Sequence, residues 1–390
     1  MSSENPWRAT RRLTFTMGVV ALILFEIAHV WFIMPLPGSQ RLRSLDVAYA
    51  LHGARWIVRG ICVALIAWGL PAAWRAPGWR RWLAPVSLLV SAAVVYATNV
   101  RMAADQIFRQ PTRVELATAA TNRVKSDRLV VGVVVNGQAR AYPLQFIGYH
   151  HQVRDTVDGQ PILVSYCTVC RTGRVFSPIV DGRPETFRLV GMDQFNAMFE
   201  DATTGSWWRQ ANGEAVTGAR RGLQLRELPS VQVTLAQWLA IHPDALVMQG
   251  DTVFAEEYAK DYAFERGTSR KALTGTDTVS WGEKAWVVGI TADGASTAFD
   301  WNRLKRERVI NAVVGRTPIV IALREDTASF FAFARPDTAT RFALRGDSLV
   351  ADGRAYALDG RGAGGALVPI KASQEFWHSW RTFQPETGKY

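Results

Sequence analysis

Cys167 and Cys170 are the residues of this chain best placed by type and spacing to do chemistry. Two thiols separated by two residues can chelate one soft metal ion, exchange with a disulfide, or form a static staple. An imidazole from another segment would complete three donors and leave one open position. That set suits a Cu or Zn ion that meets a substrate, whereas a closed structural zinc site takes a fourth protein ligand. The adjacent pair His150 and His151 offers the imidazole, and in a strand only one of them could face the cysteines. No second Cys-x-x-Cys exists, so four-cysteine zinc is excluded, and no His follows Cys170, so c-type haem attachment is excluded as well. Outside the cytoplasm the same two thiols would tend towards oxidation, which keeps a thiol-disulfide oxidoreductase and a purely structural disulfide as the other two readings.

The elements that must position these residues read as β-structure. Leu129 to Val135, the turn Asn136-Gly137, and Ala139 to Tyr142 form a hairpin signal. Pro161 to Tyr166 reads as a further strand after the turn Asp158-Gly159. The same script returns 157 residues later: VVGVVVNGQARAY (130–142) matches VVGITADGASTAF (287–299), and VRDTVDGQPILVSY (153–166) matches VINAVVGRTPIVIAL (309–323). Glycines 132, 137 and 159 fall on glycines 289, 294 and 315. This predicts two related β-rich repeats. They differ where the chemistry would be: Cys167 to Gly173 is replaced by Arg324 to Thr327, and His150 by Glu307. Residues present in one copy and absent from the other are not required by a shared fold. Further on, Asn196, Trp208 and Gln210 lie between turn glycines, as core and turn caps or as the rim of a site.

Upstream, three apolar runs (13–34, 56–74 and 82–100) each have roughly the twenty residues needed to cross a hydrocarbon layer about 30 Å thick. The first exits through Pro35-Leu36-Pro37-Gly38, unlike a cleaved signal peptide. Short-loop arginines number six on one side (Arg8, Arg11, Arg12, Arg75, Arg80, Arg81) and four on the other (Arg41, Arg43, Arg55, Arg59). This favours a cytoplasmic N-terminus and an extracytoplasmic C-terminal region. Glu26 and His29 share one face of the first run, as a proton relay or ligand position, or as a helix-helix hydrogen bond. Cys62 lies in the second run, where a lone thiol reads as packing.

The chain has 390 residues, 48% of them hydrophobic, with a net charge of +11. Up to Asn99 it carries ten Arg, no Lys and three acids, so most of that charge frames the apolar runs. The distribution argues against a nucleic-acid face. Phosphate-cradling Gly-Lys, Gly-x-Ser-x-Gly and His-Glu-x-x-His motifs are absent, and Gly132 to Gly137 lacks dinucleotide spacing, so no nucleotide cofactor is expected.

The runs NGQARAYPLQFIGYHHQVRDTVDGQPILVSYCTVCRTGRVF (136–176), FNAMFEDATTGSWWRQANGEAV (195–216), WLAIHPDALVM (238–248) and EFWHSWRTFQPET (375–387) resemble domain of unknown function family 3179. That bacterial and archaeal family is often anchored by lipid or membrane outside the cytoplasm. The resemblance covers roughly Asp127 to Phe383. It implies an aromatic-His pair at Tyr149 and His150, then Tyr166, Cys167 and Cys170, Asn196, and Trp208 with Gln210. It therefore points to His150 over His151. Thr168 stands where the family pattern has proline. The resemblance implies an architecture and a site and names no reaction.

These readings predict three transmembrane α-helices, a connector over 101–126, and a mainly β (α+β) extracytoplasmic domain of two repeats (about 128–250 and 285–390). The expected setting is a bacterial inner membrane, with a lipid bilayer and a membrane redox or metal-transfer partner. The metal reading takes one Cu or Zn ion at His150, Cys167 and Cys170, with Tyr149, Tyr166, Asn196, Trp208 and Gln210 around it.

Overall fold

The computed structural model describes residues 6–42, 44–346, 348–363 and 365–390. Arg43, counted above among the loop arginines, lies outside the described residues. The chain divides into two units, one comprising residues up to Phe108 together with Leu189–Gln194, the other Arg109–Arg188 and Phe195–Tyr390.

The first unit contains helices α1 (Pro6–Ile33), α2 (Leu45–Trp74) and α3 (Leu83–Tyr96). With its flanking turns α3 forms a span over Gly78–Arg101, and the mean hydropathies of the three spans are 2.0, 1.7 and 1.7. Each is long and apolar enough to cross a membrane. Large apolar side chains such as Leu24, Ile61, Trp68 and Leu89 point outward, as lipid-facing residues do. Both α1 and α2 begin earlier than the apolar runs. The runs stop at charges, whereas a helix continues through a charge that finds a partner. Arg55 and Arg59 thus belong to α2 and are not loop residues. Small residues let α1 and α2 approach closely: a Cβ on Gly69 would collide with the Arg11 carbonyl and with Phe15.

In the second unit, β1 (Leu129–Val135) turns through Asn136-Gly137 into β2 (Gln138–Pro143), followed by the short helix α4 (Leu144–His150). Three strands then form an antiparallel meander: β3 (Gln152–Val157), β4 (Gln160–Cys167) and β5 (Thr172–Phe176). The chain goes on through β6 (Phe187–Asp193), most of which falls in the first unit, to β7 (Asn196–Asp201) and β8 (Trp207–Arg209). Next come β9 (Ser230–Thr234), helix α5 (Leu235–Ile241) and β10 (Leu246–Met248), closing a sheet in the order β10-β2-β1-β9. Leu116–Ala117 adds at its edge by pairing with β10, so part of the expected connector is built into this sheet.

The order then recurs: β11 (Trp286–Ala292), β12 (Ala295–Asp300), helix α6 (Trp301–Glu307), β13 (Val309–Val314), β14 (Thr317–Leu323) and β15 (Phe330–Ala334). A small meander over residues 343–366 precedes β16 (Ala372–Phe376), helix α7 (Trp377–Phe383) and β17 (Gly388–Lys389). The second sheet runs β16-β11-β12-β17, strand for strand the arrangement β9-β1-β2-β10. In both sheets the helix that follows the outer strand lays a tryptophan on a glycine. A Cβ at Gly132 would strike Trp238, and one at Gly289 would strike Trp380. Both short helices end in a left-handed residue, His151 (φ 60) and Arg308 (φ 65). Each carbonyl then accepts the N–H of the strand two along, from Tyr166 and Leu323, at 2.9 Å in both halves. His150 therefore occupies the place that Glu307 takes in the second half. Valine, isoleucine and phenylalanine from the paired strands make the two main cores.

Candidate functional site: a buried pair of thiols

Cys167 closes β4 opposite Thr172, and Thr168–Arg171 forms the turn into β5. Both sulfurs are fully buried and neither is in a disulfide. The carbonyl of Phe195 lies 3.6 Å from Cys167 Sγ and 3.2 Å from Cys170 Sγ, placed there by a turn whose residues Gln194 and Phe195 both have positive φ (51 and 65). Non-glycine residues adopt that conformation at a cost, and such strain concentrates at functional sites. Asn196 donates to Cys170 Sγ at 3.4 Å and to Gln210 Oε1 at 3.1 Å. Gln210 in turn donates to Ser165 Oγ and to the Thr172 carbonyl. Ser379 from α7 bonds Cys170 on another side and donates to Glu375, which pairs with buried Arg174 at 2.5 Å.

The two thiols are not equivalent. Burial pushes Cys167 up, but the Cys170 thiol and the backbone N–H groups of Ala197, Cys170 and Val169 all point at its sulfur and hold it below the ordinary thiol range. Cys170 is driven well above that range by burial and by its anionic neighbour. The shorter contact to the Phe195 carbonyl belongs to Cys170, the thiol that keeps its proton. The arrangement is a pair of adjacent thiols of unequal acidity, Cys167 the more acidic.

The imidazole expected to join them is elsewhere. His150 Nδ1–H donates to the Arg109 carbonyl at 2.5 Å, and Nε2 accepts from the Tyr258 hydroxyl at 2.8 Å. Tyr258 accepts in turn from the Asp251 N–H. Burial holds His150 below its ordinary pKa, and both ring nitrogens are occupied. Tyr149 stacks in that same aromatic pocket with Phe254 and Tyr258. Among the described residues no group of three or more His, Cys, Asp or Glu side chains is arranged to hold a metal ion. The donor set does not fit the expected three-ligand centre. The reason is orientation: the His151 carbonyl accepts the N–H of Tyr166, next to Cys167, but α4 turns the His150 ring towards Arg109 and Tyr258.

The histidine that does approach the thiols is His378, whose Nε2–H donates to the Val169 carbonyl at 2.9 Å and whose ring meets Phe195 edge-on. It belongs to the Trp377–Trp380 run that closes the family-like motif, which was the sequence signal for it. Tyr166 is fully buried beside the site and its hydroxyl makes no hydrogen bond. Trp208 is core: its indole donates to Asp201 and packs against Phe187.

In the helical unit, Glu26 accepts Arg59 through both carboxylate oxygens (2.6 and 2.9 Å), and also Asn99 at 2.8 Å and Thr98 at 3.2 Å. His29 Nε2 lies 3.3 Å from His52 Nδ1, the rings being stacked. One carboxylate thereby ties α1 to α2 and to the end of the third span, which favours the structural reading of Glu26. Arg59, Asn99 and His52 were not singled out from sequence, since helix-helix pairing has no fixed spacing.

The family model for a protein of unknown function, DUF3179, matches residues 108–387. The chain belongs to this family. The three membrane-capable helices lie outside the matched DUF3179 region, and all the thiol-site residues lie within it. No curated protein and no solved structure matches the chain.

Proposed function

We propose that this DUF3179 member is a membrane-anchored protein whose extramembrane unit carries a thiol-disulfide couple at Cys167 and Cys170. One observation carries this reading: two unbridged thiols two residues apart converge on the Phe195 carbonyl, with Cys167 the more acidic of the two. In this role Cys167 attacks a disulfide of a partner or small molecule, forming a mixed disulfide and releasing one partner thiolate. Cys170, deprotonated, then displaces the second partner thiolate and closes the Cys167–Cys170 bond. The partner gains two electrons and ends as a dithiol, and the protein loses two. Asn196, Ser379 and Gln210 orient Cys170.

We place the protein in a bacterial cytoplasmic membrane with its N-terminus inside. The six arginines on the N-terminal side against four on the other support that orientation. We also infer that the two β-rich halves descend from one duplicated unit, on the strength of their matching strand orders and matched glycine-tryptophan contacts.

The test is a thiol count on the full chain in lipid nanodiscs, poised against a dithiol redox buffer. The expected result is loss of two thiols together in one two-electron transition, about 30 mV per tenfold change in ratio. Cys167→Ser and Cys170→Ser should each abolish it while retaining cooperative unfolding, since the second half folds without cysteines. Elemental analysis of the same samples covers the other reading. About one Cu or Zn per chain, lost in Cys167→Ser, would replace the redox couple by a metal site.

A further inference from the structure

A cavity of about 680 Å³ lies in the extramembrane unit, walled by β1, β9 and α5 from the first half and by β15 and β16 from the second. Its volume is that of pockets that hold drug-sized molecules. None of Cys167, Cys170, Phe195, Asn196 or Ser379 lines it, so it is separate from the thiol pair. Its apolar wall is formed by Val131, Trp238, Ile241, Phe331 and Phe333.

The charged residues around it are already matched. Arg174 meets Glu375 at 2.5 Å and Glu227 at 3.6 Å, Lys371 meets Glu227 at 2.5 Å, and Arg361 meets Asp359 at 3.4 Å. His242 is pushed below its ordinary pKa by burial and is neutral at pH 7. A charged ligand would therefore break an ion pair or bring an uncompensated charge against aromatic walls, and both are unfavourable. Donors on the lining include the Ser230 hydroxyl and the His242 ring, and two further groups on lining residues are buried without a partner. Gln374 Oε1 accepts from Arg171 Nε and from Gln232 Nε2, both at 3.0 Å, which fixes the amide and leaves its Nε2 without a partner. Trp238 Nε1 has none either. Donors on an otherwise apolar lining favour a ligand that brings an acceptor.

We propose that this cavity binds a neutral small molecule with an apolar, ring-sized body and a carbonyl or amide oxygen. The proposal stands on the cavity alone and does not require the redox reading. The probe is 4-fluoroacetanilide, followed by ¹⁹F line broadening with the full chain in nanodiscs and empty nanodiscs as the blank. Two variants fill the cavity from different strands, Ser230→Trp and Val134→Trp, each checked for wild-type thermal unfolding. The expected result is saturable broadening at one site per chain, at least tenfold weaker in either filled variant, with 4-fluorobenzoate and 4-fluorobenzylammonium no broader than the blank. Broadening that survives in both folded variants, or tighter binding of either charged probe than of the amide, would overturn the proposal. So would the absence of broadening above the blank at millimolar probe.

Discussion

In the first half of the extramembrane unit, the strand that donates to the His151 carbonyl runs into Cys167, and the turn beyond it is organised around two sulfurs. In the second half, the strand bonded to Arg308 runs into Arg324, and the loop is organised by a carboxylate. Asp326 there accepts from the N–H of Ala328 and Ser329 and from the Ser329 hydroxyl. The flanking strands pair in corresponding registers. A chain reversal at this place thus needs something to satisfy its N–H groups, and an aspartate suffices. The cysteines exceed that need, as does the Asn196–Gln210 support at β7 and beyond β8. The difference between the halves is therefore the thiol pair and the side chains that support it.

The sharpest way to break this comparison is at the feature both halves share. Gly132→Val and Gly289→Val each drive a side chain into a packed indole. Each should destabilise the extramembrane unit by about 3 kcal/mol or prevent folding, read by thermal unfolding in nanodiscs. Tolerance at one glycine alone would show that the two sheets are packed by different rules.

The left-handed helix caps give a second contrast, because His151 titrates and Arg308 does not. Burial lowers His151 from 6.5 to about 4. Between these values the unfolded chain binds a proton that the folded chain refuses, so stability falls as pH drops below about 6.5, and the loss levels off near pH 4. The shift corresponds to about 3 kcal/mol. His151→Asn, which tolerates the same backbone, should flatten that slope in unfolding measured from pH 7 to pH 4. A slope unchanged from wild type would assign the acid sensitivity elsewhere.

The smallest contrast is one position earlier. His150→Phe strands the Arg109 carbonyl and the Tyr258 hydroxyl, at a cost of about 2 kcal/mol. Glu307→Gln loses only a half-exposed pair with Arg303 at 2.6 Å, worth about 0.3 kcal/mol. Equal effects in denaturant titrations would mean that His150 contributes no more than a surface residue.

Much of this architecture is legible in the chain. The Asn136-Gly137 turn and its flanking valines locate the first hairpin, the offset of 157 residues locates the second, and pairing His150 with Glu307 by sequence agrees with the backbone bonds of His151 and Arg308. Three apolar runs locate three helices. The surroundings of the site are less legible, because Tyr258, Arg109 and Ser379 reach their partners from irregular segments or from the far end of the chain. Nothing periodic relates them. His150 looked like a ligand because an isolated imidazole carries no mark of the hydroxyl and carbonyl that occupy it. Helix starts were misjudged for a related reason: Arg55 reads as an end to apolar sequence, but it donates to the His52 carbonyl and α2 runs on to Leu45.

That ion pair also has a consequence for how the protein is made. As the nascent chain emerges, α1 reaches the insertion machinery with a carboxylate near its middle and no counter-charge yet synthesised. A lone acid at that depth disfavours partition into lipid by about 3 kcal/mol. Arg59 arrives 33 residues later, and only then can both helices leave for the bilayer as a neutral couple. α1 alone should therefore insert less completely than α1 followed by α2, and Arg59→Ala should remove the difference.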